Sequence, residues 1–65
     1  MFLFNGDKRR LPKEQKVLTA EIGISQSYFS KIINRKKRCS KVTAYAIVKA
    51  IGSENEISDF FERVD

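Results

Sequence analysis

Gly23 stands between two short stretches in which apolar residues recur at helical spacing, and this arrangement constrains the fold more than any other feature of the chain. The residues with this spacing are Val17, Leu18 and Ile22 before the glycine, and Phe29, Ile32 and Ile33 after it. Glycine adopts the left-handed conformation that ends many helices without steric cost, and Ser25 is a good N-cap for a second helix. The sequence therefore predicts two helices joined by a turn of about three residues.

Proline and serine mark the ends of the predicted helices. Pro12 suits the first position of a helix, so the first helix is predicted to start at about Pro12. The second helix is predicted to run from about Gln26 to Asn34. Ser40 is predicted to cap a third helix that ends at about Ile51.

The two ends of the chain carry the remaining apolar residues. Residues 1 to 6 are predicted to form a short strand or a packed arm. Ser53 or Asn55 is expected to start a last helix. The apolar residues of that helix are Ile57, Phe60, Phe61 and Val64. The predicted fold class is all-α: a single domain, residues 1 to 65, built as a compact bundle of four to five short helices.

Composition argues against several classes of site. The chain has 65 residues, one cysteine and no histidine, so an internal disulfide cannot form and a Cys/His metal site is not expected. The sequence has no glycine-rich phosphate loop and no catalytic histidine, so we expect neither an enzyme nor a cofactor or small-molecule ligand. The segment MFLFN is too short for a signal peptide, and no apolar run approaches a membrane span. A soluble cytoplasmic protein is expected.

Charge is distributed unevenly along the chain. Residues 8 to 41 carry eleven basic side chains against two acidic ones, whereas residues 51 to 65 carry one basic side chain against five acidic ones. A basic field of this kind attracts nucleic acid or an acidic membrane surface. One part of the protein is therefore expected to face an anion.

The spacing around Gly23 is that of a helix-turn-helix motif. When Gln15 is counted as the first of twenty positions, five apolar residues fall where side chains fill the angle between the two helices. These residues are Leu18, Ile22, Ile24, Phe29 and Ile32. Gly23 falls at the turn, and Thr19 falls where the helices cross most closely. Alanine or glycine is more usual at that crossing, so Thr19 is a mild departure.

The segments QKVLTAEIGISQSYFSKIIN and SKVTAYAIVKAIG give the chain its resemblance to the helix-turn-helix domains of the lambda-repressor/Cro family, over about residues 11 to 52. The resemblance implies a recognition helix, about residues 26 to 34, in the DNA major groove. It also implies base contacts by Gln26, Ser27 and Lys31, and phosphate contacts by Gln15 and Asn34. In the family the residue matching Gln15 also braces the recognition glutamine, here Gln26. Because the family includes many phage and bacterial regulators, the resemblance implies a place in the cytoplasm of a bacterial host.

Two features depart from the family pattern. Arg35 stands where the family usually has glycine, so a different loop is expected after the recognition helix. Little room remains before Pro12 for the first helix of the family.

The chemistry of these side chains agrees with DNA binding. Glutamine pairs bidentately with adenine, serine bonds to either purine edge, and lysine prefers guanine acceptors. Tyr28 is expected either to stack on a thymine methyl group or sugar, or to pack on the protein surface. Cations on both sides of the recognition helix are expected to hold phosphates and to fix the docking register. They are Lys13, Lys16, Arg35, Lys36, Lys37 and Arg38.

Three functions remain open at this point. The first is a sequence-specific regulator of transcription that binds a palindromic operator in double-stranded DNA as a homodimer. The second is an antitoxin or adaptor whose main partner is another protein, with DNA binding for autoregulation. The third is a general binder of anions or RNA, which would show salt-dependent binding without preference among DNA sequences.

The acidic C-terminal segment is predicted to supply the homodimer interface. Its negative charge makes contact with phosphate unfavourable, and its apolar residues exceed what one short helix needs for a core contact. The predicted interface residues are Ile57, Phe60, Phe61 and Val64, with Phe61 near the centre. Phe2 and Phe4 of the N-terminal segment are expected to cover part of the same surface.

Overall fold

The computed structural model describes residues 1–52 and 54–64. In chain order the elements are strand β1 (Phe2–Phe4), a 3-10 helix (Lys8–Arg10), helices α1 (Gln15–Ile22), α2 (Gln26–Ile33), α3 (Lys41–Ile51) and α4 (Ile57–Phe60), and strand β2 (Phe61–Arg63). Helix predominates, as predicted, but the described residues also form a two-stranded sheet. Strand β1 is one of the two forms predicted for residues 1 to 6, whereas strand β2 departs from the expected all-α fold. None of the described helices is long and apolar enough to cross a bilayer.

Helix α1 begins later than predicted, at Gln15 instead of at about Pro12. Glu14 is the N-cap because its backbone is extended, with ψ 151°. The Glu14 carbonyl accepts hydrogen bonds from the N–H groups of Val17 and Leu18 at 3.0 and 3.1 Å. Proline therefore precedes the first turn of the helix and is not part of it.

The predicted turn between α1 and α2 is confirmed. Gly23 has φ 87° and its N–H donates to the Thr19 carbonyl at 2.8 Å. A Cβ added at Gly23 would meet nothing within 4 Å, so the position requires glycine for its backbone conformation and not for space. Two residues later, the Ser25 hydroxyl accepts from the Tyr28 N–H at 3.1 Å and caps α2 as predicted.

Helix α3 has the predicted bounds and cap. The Ser40 hydroxyl accepts a hydrogen bond from the Thr43 N–H at 3.3 Å, which satisfies one of the free donors of the first turn. The helix ends at Ile51, and the Gly52 N–H donates to the Val48 carbonyl at 3.0 Å.

The predicted last helix is wrong in its second half. Helix α4 ends at Phe60, and Phe61–Arg63 form strand β2. Glu56 caps α4, and its N–H donates to Asp59 Oδ2 at 2.7 Å. The alternative start at Ser53 lies outside the described residues.

Strand β1 explains why the C-terminal segment is extended. Strands β1 and β2 pair antiparallel, with Leu3 opposite Glu62 and Phe4 opposite Phe61. On its other edge, β1 forms a bridge to Cys39 through two hydrogen bonds with Phe2, at 2.8 and 2.9 Å. The N-terminal segment is thus a strand that pairs along both edges, and β2 supplies backbone partners that a helix would not offer.

Both strands contribute an aromatic side chain to the core. The buried apolar residues are Phe4, Leu18, Phe29, Ile32, Ile33, Cys39, Ala44, Ile47, Val48 and Phe61. The Phe4 and Phe61 rings meet edge to face, with centroids 5.4 Å apart. Phe61 is only 2% exposed, so it cannot lie at the centre of an exposed dimer surface as predicted. The chain's own Phe4 takes the place of the expected partner.

We expect Phe61→Ala to destabilise the monomer by about 3–5 kcal/mol, because it removes a buried ring and leaves a cavity beside Phe4. Urea unfolding followed by circular dichroism measures the change. Val17→Ala is the control, since Val17 is 40% exposed and the change should cost about 1 kcal/mol or less. Equal effects of the two substitutions would contradict the core position of Phe61.

Candidate nucleic-acid interface

Helix α2 separates a polar exposed side from a buried apolar side. Phe29, Ile32 and Ile33 are buried, whereas Gln26, Ser27 and Lys31 are exposed. Because residues four apart lie above one another on a helix, Ser27 and Lys31 share one side. Gln26 is the first helical residue after the Ser25 cap. Three of the four predicted base-contacting residues are therefore exposed on one helix.

Tyr28 packs partly on the protein, which was one of its two predicted placements. It is half-buried against the core cluster, and the Lys37 Nζ lies 5.1 Å from the centroid of its ring. This cation–π contact holds one cation of the basic loop beside the recognition helix predicted from the sequence.

Asn34 lies at the C-terminal end of α2 and uses its side-chain amide within the protein. Its Nδ2 donates to the Ser30 carbonyl at 2.7 Å and to the Ser30 hydroxyl at 3.2 Å. Its Oδ1 accepts from Lys8 Nζ. Both polar atoms of the Asn34 side chain, which was predicted to contact phosphate, therefore have partners within the protein. One partner is a lysine of the N-terminal segment, which was not predicted from the sequence to lie there.

Arg35 ends α2 in the left-handed conformation, with φ 64°. Its N–H donates to the Ile32 carbonyl at 3.0 Å, and the Lys36 N–H donates to the Lys31 carbonyl at 2.9 Å. These two hydrogen bonds form a Schellman motif, which normally has glycine at this position. The turn therefore keeps the conformation suited to glycine, although the side chain is that of arginine.

The Arg35 side chain projects beside the C-terminal strand. Its Nη2 lies 3.6 Å from Glu62 Oε1, and both side chains are about half exposed. Lys36, Lys37 and Arg38 follow in the loop and are exposed. The loop after α2 therefore begins with four consecutive exposed cations, Arg35 to Arg38.

The predicted phosphate-contacting residues of α1 lie at its start. Gln15 and Lys16 are exposed. Lys16 Nζ is 3.8 Å from Glu14 Oε2, and Lys13 Nζ is 3.0 Å from Glu21 Oε1. Both ion pairs are solvent-exposed, so exchange of the carboxylate for a phosphate has a small energetic cost.

Lys8 and Arg9 are two further cations near this surface, and neither was predicted from the sequence to belong to the site. Asp7 Oδ1 accepts from the Arg9 N–H at 2.9 Å and from Arg9 Nε at 3.2 Å, which organises the 3-10 helix. The signal in the sequence is the run of basic residues before Leu11. The sequence does not show that Lys8 lies beside Asn34, because the two residues are 26 positions apart in the chain.

Groups with metal or redox chemistry contribute little to this surface. In the part of the chain that the structure describes, no three or more acidic or cysteine side chains are placed to hold a metal ion. Cys39 is buried. Burial raises the pKa of its thiol, although the N-terminal ammonium acts in the opposite direction. Burial therefore disfavours the thiolate, which is the reactive form of cysteine.

Comparison of the chain with known protein families, curated proteins and solved structures finds no match. A function is therefore inferred from the geometry and chemistry of this surface.

We expect Arg35→Gly to be more stable than Arg35→Ala by about 1 kcal/mol, because only glycine adopts the left-handed conformation without strain. Both variants lose the ion pair with Glu62, so the comparison isolates the backbone effect. Urea midpoints of the two variants and of the wild type give the measurement. An alanine variant as stable as the glycine variant would contradict the left-handed turn.

Proposed function

We propose that the chain is a sequence-specific double-stranded DNA-binding regulator of transcription, with α2 in the major groove. In this proposal, α1 and α2 form a helix-turn-helix of the lambda-repressor/Cro type. One observation carries the proposal: an otherwise buried helix exposes glutamine, serine and lysine and then runs directly into a loop of four cations.

The packing between α1 and α2 supports the motif. The five apolar positions expected to fill the angle between the helices are all in the core or packed against it: Leu18, Ile22, Ile24, Phe29 and Ile32. Thr19, at the expected close approach, is 4% exposed. Its hydroxyl donates to the Lys16 carbonyl at 3.1 Å, so burial leaves no unpaired donor there.

In this proposal, side chains on α2 contact the bases and the cations beside it contact the phosphates. Gln26 and Ser27 lie at the N-terminal end, where a recognition helix meets base edges. Lys31, one turn on, suits the acceptors of guanine. The cations Arg35 to Arg38, together with Gln15, Lys13 and Lys16, would hold phosphates and fix the register without reading sequence.

A second copy of the chain is part of this proposal. One recognition helix reads few base pairs, and helix-turn-helix proteins commonly bind two half-sites one DNA turn apart. Since Phe61 is buried, the pairing surface must use other residues. Val42 and Tyr45, 79% and 52% exposed, lie three residues apart on α3 and so share one side of the helix. Tyr45 also borders a groove with Ile57 of α4. We propose this surface for the homodimer.

Base readout is tested with the DNA sequence selected by the protein from a random duplex pool. Gln26→Ala should lose roughly 1–3 kcal/mol of binding to that sequence, because a bidentate base contact disappears. Its affinity for a scrambled duplex should stay near that of the wild type. Lys16→Ala is the comparison substitution, and it should weaken both complexes alike because a phosphate contact carries no sequence information. Equal losses on both duplexes with Gln26→Ala would exclude direct base readout by this residue.

The dimer surface is tested with Val42→Glu, whose side chain is exposed enough for the monomer to fold normally. We expect it to convert binding of a two-half-site duplex from one cooperative step to two independent steps, measured by sedimentation and by titration. Glu62→Gln, in the C-terminal segment that the sequence predicted to form the interface, is the control for cooperativity alone, since it also removes the ion-pair partner of Arg35. Unchanged cooperativity with Val42→Glu would place the dimer elsewhere. A stable complex of this surface with a different protein would favour the adaptor or antitoxin function.

A further inference from the structure

A groove of about 540 Å³ lies between the N-terminal turn and the C-terminal end of α2. Gly6, Lys8 and Arg9 line one side of it, and Asn34 and Arg35 line the other. Lys8 Nζ donates to Asn34 Oδ1 across the groove. Cations from two distant parts of the sequence therefore meet at the end of the helix opposite to Gln26.

The turn that carries Lys8 and Arg9 is fixed to the body of the protein. The N–H groups of Asn5 and Gly6 both donate to the Phe60 carbonyl, at 2.7 and 3.2 Å. A Cβ on Gly6 would lie 2.8 Å from the Phe60 ring, so the backbone approaches that ring more closely than another residue would allow. The backbone of the turn that carries the two cations is therefore fixed before any ligand binds, which lowers the entropy cost of binding.

The charges around the groove favour an anion. Lys8, Arg9 and Arg35 are set against the carboxylates of Asp7 and Glu62. The Arg9 side chain is 85% exposed. Asp7 binds its Nε, and a guanidinium carries further donors that suit two phosphate oxygens at once. The carbonyl end of α2 would repel a phosphate by itself, so an anion can bind there only because these cations surround it.

We propose that this groove binds a phosphate of the DNA backbone, and that Lys8 and Arg9 are further DNA-binding residues. The proposal rests on the function proposed above and specifies how α2 sits on the duplex. Eight residues of α-helix span about 12 Å, which is also about the width of the major groove. When Gln26 is at the bases, the opposite end of α2 is therefore at the level of a phosphate strand.

A purely structural role for Lys8 gives a different expectation. A cation in the last turn of a helix stabilises the helix by interacting with its carbonyl end. In that case, removal of the Lys8 charge would lower the stability of the protein and leave the number of phosphate contacts unchanged. The salt dependence of DNA binding separates the two roles, because its slope counts released counterions.

The experiment compares the wild type with the Lys8→Gln/Arg9→Gln double variant on the selected duplex over a series of salt concentrations. We expect the slope of log K against log salt to become shallower by about 0.9 for each phosphate that the variant no longer neutralises. The scrambled duplex should show the same change. Lys49→Gln/Arg63→Gln removes two positive charges outside the groove and should keep the wild-type slope. Lys8→Arg/Arg9→Lys preserves both charges and should keep most of the slope.

Each result decides one proposal or both. An unchanged slope in the Lys8→Gln/Arg9→Gln variant, with specific binding by the wild type, overturns the groove assignment and leaves the proposed function standing. Failure of the wild type to bind duplex DNA overturns both. If the double variant does not fold, Arg9→Gln alone keeps the Lys8–Asn34 contact and should still reduce the slope by about 0.9. The wild-type slope in that single variant would also overturn the assignment for Arg9.

Discussion

The rest of the structure depends on the pairing of the two chain ends through β1 and β2. Phe4 and Phe61 lie opposite each other in the register, and their rings meet in the core. The other edge of β1 is tied to Cys39, just before α3. A chain of 65 residues buries a smaller fraction of its surface than a larger domain does, so unpaired terminal segments would lower its stability. This small sheet therefore closes the core around α1, α2 and α3, and it also fixes the turn that carries Lys8.

The C-terminal end of α2 contributes both to the stability of the fold and to the proposed binding surface. A Schellman motif ends the helix by satisfying its free carbonyls, and glycine fills the left-handed position at least cost. Here Arg35 occupies that position at φ 64°. An arginine there lowers stability but adds a cation between the recognition helix proposed above and the basic loop. Such local strain is often retained at functional sites, which supports a role for Arg35 in binding an anion.

The sequence predicted the parts of the fold that have local causes. Gly23, Ser25 and Ser40 each act within one helical turn, so their roles could be predicted from neighbouring residues alone. The C-terminal strand could not be predicted in this way, because Phe61 has helical spacing with Ile57 and becomes extended only when β1 offers backbone partners. The contact between Lys8 and Asn34 likewise depends on the tertiary fold. The candidate base-reading residues were predictable because they lie on one helix, whereas the groove was not because two distant segments form it.

The electrostatics of α2 support the proposed orientation on DNA. The N-terminal end of a helix carries partial positive charge, so the uncharged Gln26 and Ser27 can approach electronegative base edges there without an added cation. The C-terminal end carries partial negative charge and would be repelled by phosphate. In this chain the cations are concentrated at that second end, in Arg35 to Arg38 and in the turn at Lys8. The reverse orientation would place the densest positive charge over the bases and away from the phosphates, so it would lose much of the counterion-release contribution to affinity.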